Sequence, residues 1–224
     1  YNWIINNFDI IEKINNGQID EVFISSHPFN GLYESQMVGK DAYWCNSPPI
    51  IRDDASKKFV MQGGFGYAHD YSCFGDYSIG CLLESFGHRT ESIMSHVYER
   101  WDYGISHNQM NTWEKFTLYD KVAPGNSGCG NVHYAPNSIS DYDWGNTTYV
   151  ESTCDDWLNY PNLIGTKKSF NCSEWGNGSI RLHHRWWFNH LPKADGIGKD
   201  EKLNNWWYYI VDLDLISLKS NFVT

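Results

Sequence analysis

One stretch constrains the fold more than any other: Ser78–Trp101, SIGCLLESFGHRTESIMSHVYERW. At about 100° per residue, Ile79, Leu82, Leu83, Phe86, Ile93, Met94, Val97 and Trp101 gather on one side. Glu84, His88, Glu91 and Ser95 gather on the other. The spacing predicts a long amphipathic helix that carries His88 and Glu91 on a single face. A solvated polar face would need no function, but Gly87 inside the helix costs about 1 kcal/mol relative to Ala and hints at close packing there.

The segments around it alternate between helix and strand patterns. Asn2–Asn15 reads as a helix through Ile4, Ile5, Phe8, Ile11 and Ile14, stopped by Gly17. Ile19–Ser25 reads as a buried strand. No strand precedes the first helix, so the α/β pattern is expected to lack an N-terminal strand. His27–Gly39 reads as a loop at the strand end, with Glu34 where sites form in open α/β sheets. Lys58–Gln62 reads as a second strand that runs into Gly63-Gly64-Phe65-Gly66, which has neither the dinucleotide nor the P-loop register.

Further on, Thr112–Leu118 suggests a short helix and Asn131–Tyr134 a strand emptying into the polar loop Ala135–Asn146. Val150–Gly178 is irregular, Ser179–Leu191 is helical, Asp195–Asp200 is a loop, and Trp206–Leu213 and the tail read as strands. The expectation is an α/β fold: a single domain over residues 1–224, with a mixed or mostly parallel sheet flanked by helices and long disulfide-linked loops.

Composition narrows the function classes. The formal charge is −10, and no run of Lys or Arg stands out, which argues against a nucleic-acid or anionic-membrane partner. No apolar stretch approaches the ~20 residues that span a bilayer. Aromatics reach 17%, with 11 Trp and 15 Tyr, which points either to flat sugar-binding surfaces or to an aromatic core. Six cysteines (Cys45, Cys73, Cys81, Cys129, Cys154 and Cys172) without any C-x-x-C pair disfavour structural zinc and agree with an oxidising compartment. Sequons at Asn146, Asn171 and Asn177 agree with secretion and glycosylation.

Three constellations could carry chemistry. His88 and Glu91, three apart on a helix, could share a divalent metal such as zinc, with His133, His184 or His183 as a further ligand. Glu34 or Asp143 could then act as general base on water, or two carboxylates from Glu34, Asp141, Asp143 and Glu91 could serve a metal-free glycosidase. The loop Asn137–Asn146 joins Asp141 and Asp143 to Trp144, although an Asx-turn loop would look the same. His183, His184 and His190 accompany Trp186-Trp187 on one helix. Tyr67, Asn137, Trp144 and Trp186 are the candidate substrate contacts.

The segments GQIDEVFI, GLYES, SFGHRTESIM, CGNVHYAPNS–DYDWGN, CDDW, HHRWW and NNWW, spread from Gly17 to Trp207, resemble a set of secreted bacterial and fungal proteins with no activity attached. The resemblance implies a secreted single-domain α/β protein. A site shared with that set would fall on Glu34, His88, Glu91, His133, Asn137, Asp141, Asp143 and His184. The functional expectation is a secreted, metal-dependent hydrolase acting on an extracellular polymer, glycan rather than peptide. The alternatives are a carbohydrate-binding or structural glycoprotein and a metal-free glycosidase with two carboxylates.

Overall fold

The computed structural model describes residues 1–25, 31–63 and 76–215, the side chains of 76–78 excepted. Tyr67, Gly64, Gly66, His69, Asp70, Cys73 and the tail strand expected after residue 215 lie outside the described residues. Two compact units divide the chain: unit 1 is Tyr1–Ile93 with Asp212–Thr224, and unit 2 is Met94–Val211.

Unit 1 opens on two short helices, α1 (Asn2–Asn7) and α2 (Ile10–Asn15), where the sequence predicts one. The break falls at Asp9, whose backbone is left-handed at φ 51°. Aspartate tolerates that region better than most residues. The two helices present Ile5, Ile10 and Ile14 to a core completed by Val38, Ala55, Phe59 and Met61. Each isoleucine withdrawn from water there contributes about 2 kcal/mol.

The sheet of unit 1 consists of β1 (Val22–Ile24), β2 (Ser35–Gly39), β3 (Ile50–Ile51) and β4 (Phe59–Gly63), in the order β1-β4-β2-β3. It is mixed: β1 is parallel to β4, β2 is antiparallel to β4, and β2 is parallel to β3. The sheet and its helices bear out an α/β class. β1 is half-buried rather than buried, with Phe23 exposed. β2 replaces the predicted loop. Every residue of β2 and β4 is buried, so neither strand shows alternation. Their polar side chains find partners instead: Ser35 Oγ donates to the Cys45 carbonyl, Gln36 Nε2 to that of Pro48 and Gln62 Nε2 to that of Glu34.

The long helix is α3 (Asp76–Tyr98), three residues short of the predicted end, and the division between the units falls inside it. Arg89, buried on this helix, pairs with Glu21 just before β1.

Unit 2 holds α4 (Thr112–Phe116), β5 (Val150–Ser152), β6 (Lys168–Phe170), α5 (Ile180–His190), β7 (Lys193–Ile197), β8 (Leu203–Asn205) and α6 (Trp207–Val211). β5 pairs with β6 and β7 with β8, both antiparallel. A capping box starts α4: Asn111 Oδ1 accepts from Glu114 N–H, and the Glu114 carboxylate accepts from Asn111 N–H. That carboxylate also accepts from Arg100 Nε and Nη2 and from Asp102 N–H.

The core of unit 2 is aromatic. Five ring centroids, those of Tyr98, Trp113, Phe116, Trp157 and Tyr160, lie 5.3–6.1 Å from that of Trp206. Cys129 and Cys154 form a disulfide. Cys45 and Cys172 are buried thiols.

Three predicted strand or loop assignments change in unit 2. Asn131–Tyr134 is a tight turn closed by hydrogen bonds in both directions between Asn131 and Tyr134. Lys193–Ile197 takes in the start of the predicted loop as β7. Trp206–Leu213 contains helix α6 because Trp206, Tyr209, Ile210 and Leu213, at helical spacing, are the buried positions. Among the described residues, no helix is long and apolar enough to cross a membrane.

Candidate metal centre

Three carboxylates converge on one imidazole in unit 1. Glu84, His88 and Glu91 follow one another at four and three residues along α3, which puts them on one face. Glu34 comes from the residue just before β2. Its carbonyl accepts from Gly63 N–H at 2.8 Å and from Gln62 Nε2 at 2.7 Å, so β4 fixes its backbone. Only glycine fits at Gly63, because a Cβ there would stand 2.7 Å from the Tyr33 carbonyl oxygen.

His88 Nδ1 donates to Glu91 Oε2 at 2.9 Å. Nε2 therefore carries the lone pair whenever the ring is neutral. It stands 3.8 Å from Glu34 Oε2 and 4.0 Å from Glu84 Oε1. Asn46 orients Glu34 by donating from Nδ2 to Oε2 at 2.6 Å, while its own N–H donates to Ser92 Oγ on α3 at 3.0 Å. Asn46 does so from a left-handed backbone at φ 55°.

Burial alone would lower the His88 pKa. The hydrogen bond to Glu91 and the charges of Glu91, Glu34 and Glu84 overcome it and raise the pKa to about 9. The cluster thus draws positive charge, and one proton meets only part of that demand. The face is not the solvated one that a surface helix would show, since Glu91 is buried and His88 and Glu84 are half-buried.

Glu84 and His88 bring ligand atoms close enough to share one metal ion. Ligands about 2.0–2.2 Å from a zinc ion stand roughly 3.5 Å from each other, so the spacings at Nε2 need to contract by only a few tenths of an ångström. The Glu91 bond is the outer contact that ligating histidines make. Glu91, expected as a ligand, thus lies behind the ring. Glu84, placed on the polar face but not among the expected ligands, lies in front of it. The i, i+4 spacing of Glu84 and His88 was the available signal.

The remaining candidates belong to unit 2. His133 Nδ1 lies 3.7 Å from Asp141 Oδ1. A hydrogen bond to Asp141 is the main cause holding the Tyr134 hydroxyl up at about 12. Asp143 is committed to the loop, accepting from Ile139 N–H and Asn146 Nδ2. Asn137 Nδ2 donates to the carbonyls of Asn146 and Thr148. Trp144 is only 6% exposed, and its indole lies over His183, with Trp186 part-buried nearby on α5. His184 Nδ1 donates to the Ile180 carbonyl at 2.6 Å.

His183 is wholly buried, and neither ring nitrogen has a hydrogen-bond partner among the described residues. Burial, and then the neighbouring His184, push its pKa well below the ordinary value, so the ring is neutral.

No protein-family model, curated protein or solved structure matches the chain.

Proposed function

We propose that the chain is a secreted metal-dependent hydrolase acting on an extracellular polymer, glycan rather than peptide. One observation carries the reading: Glu91 occupies His88 Nδ1 and thereby turns Nε2 toward Glu34 and Glu84. His88 and Glu84 would contribute ligands to a divalent ion, zinc by its affinity for such nitrogen and oxygen donors, with the Glu34 carboxylate beside them. The ion would supply the Lewis acidity that hydrolysis needs at neutral pH. Glu91 fixes the tautomer and the ring plane, and Asn46 keeps the Glu34 carboxylate aimed at the ring.

Exposed aromatics close in sequence to Glu34 and Asn46 favour a glycan. Tyr33 adjoins Glu34 in sequence, and Trp44, 60% exposed, stands two residues before Asn46. The loop bearing Trp44 is pinned at Cys45 and Ser47 by hydrogen bonds with Ser35. Secretion is supported by the Cys129–Cys154 disulfide and the three sequons.

A metal-free glycosidase that uses Glu34 and Glu84 is the second reading. The raised pKa of His88 favours it, since an imidazolium already stabilises both carboxylates. Elemental mass spectrometry after zinc loading and dialysis decides between them. About one zinc per wild-type chain, lost in His88→Ala and reduced in Glu84→Gln, is expected. A wild type that retains no divalent metal overturns the metal reading.

A further inference from the structure

We propose that Tyr142, Asp141 and His133 of unit 2 form a binding subsite for a neutral pyranose residue. The proposal rests on the glycan part of the functional reading above and does not depend on the metal. The starting observation is a backbone outlier. Tyr142 sits at φ 60°, and it is the only aromatic residue at positive φ among the described residues. A bulky side chain rarely adopts that conformation, and such strain persists only where the surroundings impose it.

The surroundings do impose it. Tyr142 N–H donates to the His133 carbonyl at 3.0 Å. Asp143 receives the Ile139 amide and the Asn146 side chain, Asn137 ties down the carbonyls of Asn146 and Thr148, and Ser138 Oγ receives Ala135 N–H. The loop is knitted on both sides of Tyr142, and the outcome is an aromatic residue held 54% exposed. Its centroid lies 4.5 Å from that of His133, and it meets Trp144 edge-on at 5.3 Å, so its orientation is fixed. The sequence pointed to Trp144 as the platform, yet Trp144 is the buried support and Tyr142 the exposed ring.

Polar groups adjoin the ring. Asp141 is half exposed, 3.7 Å from His133 Nδ1, and the neighbouring Tyr134 ring stacks on Tyr119 at 4.4 Å. A rigid aromatic face next to a carboxylate and an imidazole matches a pyranose, which offers an apolar C–H face and a rim of hydroxyl donors. The Asp141 charge repels an acidic sugar, which selects a neutral one.

Affinity gel electrophoresis tests this, with hydroxyethyl cellulose, glycol chitin, mannan, xylan and polygalacturonate in the gel and EDTA throughout. Wild type is expected to be retarded by at least one of the four neutral polymers. Tyr142→Ala should weaken that retardation about tenfold or more, and Tyr142→Phe should keep it within about twofold. Tyr142→Asn supplies a variant suited to the left-handed backbone, so that its loss of retardation with an unchanged Tm cannot be put down to misfolding. No retardation by any neutral polymer, retardation by polygalacturonate alone, or wild-type retardation of Tyr142→Ala or Tyr142→Asn each overturns the proposal. A wild type that holds zinc but is not retarded overturns this subsite and leaves the metal centre standing. A retarded wild type without metal does the reverse.

Discussion

His88 donates its Nδ1 proton to Glu91, 2.9 Å away and one turn further along the same helix. The metal reading assigns the two residues different work, and variants separate it. Glu91→Gln keeps His88, Glu34 and Glu84 in place but removes the charge that holds the ring. Zinc affinity measured by calorimetry should fall about 10–100-fold, as for other outer-contact changes. His88→Ala should abolish binding. Equal affinities in wild type and Glu91→Gln would show that Glu91 does not orient the ring.

The buried imidazole of His183 predicts acid sensitivity. Its pKa is lowered in the folded state, so the unfolded chain binds the extra proton. Stability is therefore complete above the ordinary histidine pKa and falls as pH drops below about 6.5. Denaturant midpoints of wild type measured from pH 7.5 to 5 should decline more steeply than those of His183→Phe. Parallel declines would remove His183 as the cause.

The Cys129–Cys154 bridge closes a loop with a sequence separation of 25. In the chain-entropy account, such a loop contributes about 3.5 kcal/mol by restricting the unfolded chain. The double variant Cys129→Ala/Cys154→Ala should lose roughly that amount in urea unfolding, and wild type in reductant should match it. A loss well below about 1 kcal/mol would show that the unfolded chain is already compact around this loop.

The sequons differ in what their side chains are already doing. Asn171 Oδ1 accepts from Ser173 N–H and its Nδ2 donates to the Thr147 carbonyl, while Asn146 Nδ2 donates to Asn137 and Asp143. A glycan on either nitrogen would displace those bonds. Asn177 is exposed on a left-handed turn. Expression in a glycosylating host should give a glycan at Asn177 that Asn177→Gln removes, with Asn146 and Asn171 unmodified. Peptide mass mapping reads all three positions.

Where local pattern and burial coincide, the sequence was legible: α3 and α5 fall within a few residues of their predicted spans. The pattern hid β2, because Ser35 and Gln36 look like loop residues until their partners, the carbonyls of Cys45 and Pro48, are brought in by the fold. It misread α6 because tryptophan, tyrosine and isoleucine favour strands, while the spacing of Trp206, Tyr209, Ile210 and Leu213 favours a helix and packing decided for the helix. At the candidate metal centre, His88, Glu91 and Glu34 were legible as a set. Their roles were not, because which ring nitrogen faces which carboxylate depends on the turn before β2 and on Asn46, neither of which has a sequence signature.

The tryptophans are divided unevenly, and this gives the protein a built-in optical label. Trp3 and Trp44, the two in unit 1, are exposed, while the other nine lie in unit 2, where Trp113, Trp157, Trp187 and Trp206 crowd around one core. The crowded indoles couple electronically, so near-ultraviolet circular dichroism reports the integrity of unit 2. The red edge of the emission, where water-exposed indoles radiate, reports Trp3 and Trp44. A single sample without added dye therefore separates events at the two units, and a ligand arriving beside Trp44 announces itself in the second signal while leaving the first unchanged.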